Sequence, residues 1–124
     1  MVNEGMSTDG PLHPGHLADR AAALAFLEKL RGSYDVAQVI MFGSRARGDH
    51  RPDSDLDLAI ILNGGAGDFL GVKLDMAGIA FDVLLETGVL VQALPLWNGD
   101  LAHPEQFPNP ALIEQITRDG IRLR

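Results

Sequence analysis

Two aspartates, Asp55 and Asp57, stand two residues apart where a polar segment meets the apolar run Ala59 to Leu62. On a strand both carboxylates lie on one face, with Cα atoms about 6.6 Å apart by strand rise. Like charges this close repel in a partly buried setting unless a cation lies between them. Such oxygen ligands suit Mg²⁺, which binds one or two carboxylates together with substrate phosphates. An isolated pair also fits a solvated strand face, but the apolar run after it favours a metal site.

Gly43 and Ser44 follow a second apolar segment, VAQVIMF. A glycine lets the backbone approach an anion closely, and a serine hydroxyl can donate a hydrogen bond to a phosphate oxygen. A helix beginning at this point would add the positive end of its dipole. Taken alone, the pair also fits an ordinary turn.

Basic residues cluster beside this pair although the chain is acidic, with a formal net charge of -7. Arg45, Arg47 and Arg51 are three of its ten basic side chains. The net charge argues against non-specific binding of nucleic acid, which needs a broad basic surface. Arg45 and Arg47 could neutralise phosphate charge, or remain solvated loop charges. The chain has no cysteine, so a metal must be held by oxygen or imidazole ligands.

Elements that could position these residues follow from the apolar periodicity. We expect a flexible N-terminal arm over residues 1–17 and a single domain over residues 18–124. Asp68 can cap one helix and Gly88 can end it, and Pro95 indicates an edge strand or a strand end. The predicted elements are a helix over 18–34, strands over 36–42 and 54–62, a helix over 69–87, a strand over 89–96 and a helix over 111–118.

This order predicts an α/β (α+β) fold: a small mixed β-sheet with helices packed mainly on one face. No segment approaches the roughly 20 apolar residues of a membrane span, and the N-terminus lacks the pattern of a signal peptide. The sequence therefore predicts a cytoplasmic protein.

The composite pattern is more specific than its parts: an apolar strand, Gly-Ser, ten residues, Asp-Leu-Asp and a second apolar strand. The segment MFGSRARGDHRPDSDLDLAI resembles the signature of the minimal nucleotidyltransferases of the DNA polymerase beta superfamily. The core of the resemblance covers residues 39–62, and the order of the flanking elements also fits that family's fold.

The resemblance implies transfer of a nucleoside monophosphate from a nucleoside triphosphate to an acceptor hydroxyl. Gly43 and Ser44 would hold the β and γ phosphates, and Asp55 and Asp57 would be the catalytic metal ligands. Two Mg²⁺ ions would stabilise the attacking and leaving oxygens of an in-line displacement. Arg45 and Arg47 are expected to help bind the nucleotide.

Active relatives usually carry a third carboxylate on the next strand, and two placements compete for it here. If IAFDVLLE is that strand, Asp82 is the third acid. If it is the end of a helix, the strand is VLVQALPL and its central polar residue is Gln92, which cannot act as a base. The helical periodicity of Phe69, Val72 and Met76 favours the second placement.

Two functions remain open at this stage. The first is a Mg²⁺-dependent nucleotidyltransferase that uses ATP or another nucleoside triphosphate and modifies an acceptor, such as a partner protein. The second is a binding module of the same fold with weak or no catalysis. The resemblance implies a HEPN-domain toxin as a partner for such minimal domains, with this chain as the antitoxin.

Overall fold

The computed structural model describes residues 16–48, 54–65 and 67–124. Their elements follow in the order α1 (His16–Leu30), β1 (Val36–Phe42), α2 (Gly43–Arg47), β2 (Leu56–Leu62), α3 (Phe69–Thr87), β3 (Val91–Trp97), α4 (Asn98–Ala102), a 3₁₀ turn (Pro104–Gln106), α5 (Pro110–Asp119) and β4 (Ile121–Arg122).

The four strands form one mixed sheet in the order β3-β2-β1-β4. β1 is antiparallel to both β2 and β4, whereas β2 and β3 are parallel. Phe42 lies opposite Asp57, and Asp57 in turn lies opposite Gln92. Pro95 is accommodated because β3 is an edge strand, as the sequence predicted.

The two long helices, α1 and α3, cover what we call the first face of the sheet. Alternate residues of each strand point to this face and pack against one continuous apolar stripe from each helix. Its largest fully buried side chains include Phe26 and Leu30 of α1, Met76 of α3, and Met41, Leu56, Leu58 and Ile60 of the strands.

The opposite, second face carries a smaller apolar cluster under α5. Ile116 of α5 is fully buried there against Ile40, Ile61 and Leu96 of the sheet. The fold class is therefore the predicted one, a small mixed sheet with its two long helices on one face.

Helix α3 begins and ends at the residues that the sequence indicated. Asp68 caps it by accepting a hydrogen bond from the Gly71 backbone N–H at 3.1 Å. Gly88 ends it in the left-handed conformation, with φ of 78°. The segment IAFDVLLE is therefore helical, and the third strand is the one that carries Gln92.

Other boundaries differ slightly from the predictions. α1 begins at His16 and ends at Leu30, so the last two residues of the predicted arm are helical, and residues 1–15 of that arm lie outside the described residues. β3 begins at Val91 rather than at residue 89. Within the described parts of the chain, no helix is both long and apolar enough to cross a membrane.

Candidate active site

The predicted site residues meet at one end of the sheet, where β1 leads into α2 and β2 begins. The antiparallel register sets Phe42, the last residue of β1, opposite Asp57. This pairing brings the Gly43 backbone against the Asp57 carboxylate. Two segments separated in sequence by ten residues thus become one site.

Gly43 is required here for two reasons. Its φ is 75°, a conformation that residues with a side chain rarely adopt. A Cβ atom at this position would also lie 2.3 Å from Oδ2 of Asp57. The glycine therefore allows backbone and carboxylate to share a space that a methyl group would fill.

The two aspartates share the second face of the sheet, because Leu56 and Leu58 on either side of Asp57 belong to the first-face core. The pKa of Asp57 is raised, first by burial and then by the negative charge of Asp55. Arg47 and Arg45 oppose this rise in pKa. The pair therefore carries an electrostatic cost that a bound cation would relieve.

Gln92 occupies the position that a third acid would need. It lies directly opposite Asp57 in the parallel register, and its side-chain Nε2 donates to Oδ2 of Asp55 at 3.2 Å. Asp82 is exposed on α3, which covers the other face of the sheet. Among the described residues, no cluster of three acidic or histidine side chains is placed to hold a metal ion.

Arg45 is directed into the protein, away from the role that its position in the motif suggested. Its Nη1 donates to Oδ1 of Asp19 at 2.7 Å, and that carboxylate is completely buried. Its Nε and Nη2 donate to the Ser54 carbonyl oxygen at 2.9 and 2.6 Å. One guanidinium thus ties α2 to α1 and to the residue before Asp55.

Asp19 was missed by the sequence reasoning, although a signal was present. The buried stripe of α1 runs through Ala22, Ala23, Phe26 and Leu30, and Asp19 continues it one turn earlier. A carboxylate on the buried side of a helix needs a cationic partner. That partner is 26 residues away in sequence, and the periodicity of α1 carries no information about which cation it is.

Ser44 and Arg47 lie on α2, immediately after Gly43. Ser44 is half-buried, and its carbonyl accepts the Gly48 N–H at 2.9 Å, which closes the short helix. Arg47 is exposed, and its charge is felt by Asp57. At five residues α2 is too short for a large dipole, so the approach of the backbone at Gly43 matters more than the dipole.

The donor set fits a hard divalent cation. Asp55 and Asp57 offer carboxylate oxygens from one face, and Gly43 leaves no side chain between Asp57 and the turn. Mg²⁺ characteristically uses one or two carboxylates and completes its shell with water and substrate phosphates. The neutral amide of Gln92 adds no charge to this set.

Known proteins give an independent view of the chain. A family model described as a nucleotidyltransferase domain matches residues 23–123. No curated protein sequence matches at a significant level.

Solved structures similar to this chain match it at low sequence identity. One is a toxin–antitoxin complex with AMP-PNP, at 14% identity and a TM-score of 0.57, covering 86% of this chain and 73% of that one. Another is a mutant of the toxin–antitoxin pair MntA–HpeT, at 13% identity and a TM-score of 0.54, covering 85% and 71%. A Sulfolobus solfataricus protein assigned as a nucleotidyltransferase has 18% identity and a TM-score of 0.49, with 92% and 89% covered.

Proposed function

The chain belongs to the nucleotidyltransferase domain family, and we propose that it binds a nucleoside triphosphate with Mg²⁺ beside Gly43, Asp55 and Asp57 and transfers the nucleoside monophosphate to an acceptor hydroxyl. The observation that carries this proposal is the contact between the Gly43 backbone and the Asp57 carboxylate, with Asp55 on the same face. It puts the backbone of the turn beside two carboxylates that can bind a metal.

The triphosphate is held by the turn between β1 and α2. The Gly43 backbone and the Ser44 hydroxyl contact its terminal phosphates, and the exposed Arg47 guanidinium neutralises their charge. Arg45 contributes indirectly, because its bonds to Asp19 and to the Ser54 carbonyl hold α2 and the start of β2 in register.

Asp55 and Asp57 would hold the metal, which would supply stabilisation of the charge on the reacting phosphoryl oxygens. The acceptor oxygen forms a bond to the α phosphorus, the bond to the bridging oxygen breaks, pyrophosphate leaves and the hydroxyl proton is released to water. Gln92 lies beside these carboxylates and can orient a hydroxyl through its amide, but it cannot accept the hydroxyl proton.

Gln92 also favours a second candidate function, a nucleotide-binding module with little turnover. An amide at this position leaves Asp55 and Asp57 without a third carboxylate. Two structurally similar proteins are parts of toxin–antitoxin complexes. On this hypothesis the chain is the antitoxin of a HEPN-type toxin and acts by binding it.

A calorimetric titration with AMP-PNP and Mg²⁺ tests the nucleotide site. We expect saturable, Mg²⁺-dependent binding that the double variant Asp55→Asn, Asp57→Asn abolishes. The matched control is Asp82→Asn, which removes one exposed carboxylate from α3 and should leave binding unchanged. Binding that survives the double variant would contradict the assignment of the site.

A second experiment separates transfer from binding. The protein is incubated with labelled nucleoside triphosphates, Mg²⁺ and the product of the neighbouring reading frame. Label on that product supports the transferase. A stable complex with nucleotide bound and no label after long incubation supports the binding module.

A further inference from the structure

Helix α3 carries large apolar side chains on the side that faces away from the sheet. Four of them, here called the outer stripe, are 56 to 70% exposed: Leu70, Leu74, Phe81 and Leu85. Leu74, Phe81 and Leu85 lie four, eleven and fifteen residues after Leu70. These spacings put all four residues on one side of the helix. The inward side of the same helix is also apolar and buries Met76, Ala80 and Val83. A helix that is apolar on opposite sides is normally covered on both.

The spacing of the residues in the outer stripe is the same in both directions along the helix. Its midpoint falls between Ala77 and Gly78, and Leu70 and Leu85 lie equally far from it. Leu74 and Phe81 form an inner pair at equal distances. A stripe of large residues around a small centre is suited to a partner helix that runs in the opposite direction and crosses closely at that centre.

We propose that the outer stripe of α3 binds the same stripe of a second copy of this chain, antiparallel across a two-fold axis at Ala77 and Gly78. A two-fold interface requires one surface to be complementary to itself. In this arrangement Leu70 meets Leu85 of the second copy and Leu74 meets its Phe81. The small side chains at the centre let the two helix axes approach.

A groove beside the stripe supplies space for the largest of these side chains. It has a volume of about 210 Å³ and is mostly apolar, with two polar residues, Lys73 and Gln92, in its lining. The apolar lining comes from α3 and from the chain around the start of β3: Leu70, Leu74, Ala77, Ala80, Leu90, Val91 and Ala93. Phe81 of the second copy would lie opposite Leu74, at this groove. Each copy therefore offers both the projecting ring and the recess that receives it.

The charged residues of α3 lie on the flanks of the outer stripe rather than within it. Asp75 accepts a hydrogen bond from the Tyr34 hydroxyl, and Glu86 forms an ion pair with Lys29 of α1 at 2.7 Å. The pKa of Lys29 is raised first by its hydrogen bond to Glu86 and further by the charge of Asp82, the third acid of α3. All three acids therefore lie toward α1, to one side of the outer stripe. The only basic residue of α3, Lys73, leans to the other side and donates to the Ala93 carbonyl at 3.4 Å.

The outer stripe lies on the other side of the sheet from the two aspartates. Helix α3 covers the first face of the sheet, whereas Asp55 and Asp57 point to the second. The groove reaches Gln92, whose side chain bonds to Asp55, so the two regions meet only at the start of β3. The proposal itself does not depend on the proposed function.

The substitution Gly78→Gln tests the proposal with opposite effects on folding and on assembly. A Cβ at Gly78 meets no atom of the described residues within 4 Å, and glutamine forms helices better than glycine. We therefore expect unchanged or higher thermal stability at dilute concentration. The longer side chain separates the two helices, so dimer affinity in sedimentation velocity should fall about tenfold or more.

The matched control is Leu24→Gln, which changes an exposed leucine of α1 that is 49% exposed and lies off the stripe. Its sedimentation should equal that of the unmodified chain. An unmodified chain that stays monomeric up to its solubility limit would overturn the proposal and point to a different protein on this face. A dimer that Gly78→Gln does not weaken would overturn it as well.

Single cysteines test the antiparallel direction, because the natural chain has none. Gly78→Cys should form a covalent dimer under mild oxidation, since the two copies meet at this residue. Leu70→Cys mixed with Leu85→Cys should cross-link, whereas Leu70→Cys alone should not, its two copies lying about 22 Å apart by helix rise. Efficient cross-linking of Leu70→Cys with itself would exclude the antiparallel arrangement.

Discussion

The two sides of the candidate site are built differently. On the side of α2 and β2, the Gly43 backbone lies against Asp57, and Arg45 bonds to a buried carboxylate and to the Ser54 carbonyl. On the side of β3, the exposed Gln92 makes one 3.2 Å hydrogen bond to Asp55. The first side is held by packing and buried polar bonds, and the second belongs to an edge strand.

The proposed chemistry needs a different property from each of these two sides of the site. Holding a triphosphate and a metal needs fixed geometry, which buried, hydrogen-bonded groups provide. Accepting a proton needs a titratable group, and the amide of Gln92 is not one. The α2 and β2 side of the site is therefore suited to binding, whereas the β3 side offers an acceptor hydroxyl the neutral amide of Gln92.

The side of the site formed by α2 and β2 is here called the ordered side. The largest expected effect comes from removing its buried cation, Arg45. Arg45→Met leaves Asp19 buried without its partner, and breaking such a pair typically costs about 3 to 5 kcal/mol of unfolding free energy. Urea denaturation measures this loss. Among the described residues Oδ2 of Asp19 already has no hydrogen-bond partner, which makes the remaining bond to Arg45 more important.

Arg47→Met is the matched control, with the same change two residues later at an exposed position. It should alter the unfolding free energy by less than about 0.5 kcal/mol, yet weaken AMP-PNP binding. Equal destabilisation by both substitutions would show that Arg45 does not hold the ordered side together.

The next effect concerns the close approach at Gly43. Gly43→Ala puts a methyl group into a backbone with φ of 75°, a strain of about 1 to 2 kcal/mol, and into the space of the Asp57 carboxylate. We expect both a lower unfolding free energy and a loss of Mg²⁺-dependent nucleotide binding.

Gly48→Ala should produce the first of these effects without the second. Its φ is 82°, but a Cβ there meets nothing within 4 Å among the described residues. It should cost similar stability and leave nucleotide binding intact. If both glycine variants bind nucleotide equally well, the contact between Gly43 and Asp57 is not part of the site.

Much of this arrangement could be predicted from the chain alone. The bounds of β1 were predicted at Val36 and Phe42 because an unbroken apolar, β-branched run meets Gly43. Helical periodicity correctly assigned the segment before Gly88 to α3, which in turn identified Gln92 as the residue beside Asp55.

The remainder depended on contacts that local patterns do not encode. Arg45 and Arg47 are the same residue type on one short helix, and their local sequence does not show that Arg45 bonds to the buried Asp19 on α1 and to the Ser54 carbonyl. β4 has two residues, too few to show a periodicity. It is a strand because it pairs with the free edge of β1. The ordered side of the site is thus set by long-range packing.

A smaller effect is expected from adding an acid to the β3 side. Gln92→Glu places a third carboxylate beside Asp55 and opposite Asp57. We expect Mg²⁺ affinity and label transfer to rise about tenfold, equivalent to roughly 1.4 kcal/mol. Gln106→Glu adds the same charge at an exposed position in the 3₁₀ turn and should change neither. No gain from Gln92→Glu would mean that the neutral amide does not limit the site.

The smallest effect tests whether the ordered side carries a cost in the absence of metal. Burial and Asp55 raise the pKa of Asp57, so the folded state binds this proton more tightly than the unfolded state does. The cost is therefore fully present above the raised pKa and disappears as the pH falls below the ordinary value of 3.8.

Asp57→Asn should accordingly increase the unfolding free energy near neutral pH by less than about 1 kcal/mol in metal-free buffer. The advantage over the unmodified chain should shrink as the pH is lowered through the titration of Asp57. Saturating Mg²⁺ with AMP-PNP should reverse the order, because only the unmodified chain gains stability from binding. A variant that is less stable than the unmodified chain at every pH in metal-free buffer would show that the Asp57 charge is compensated within the protein itself.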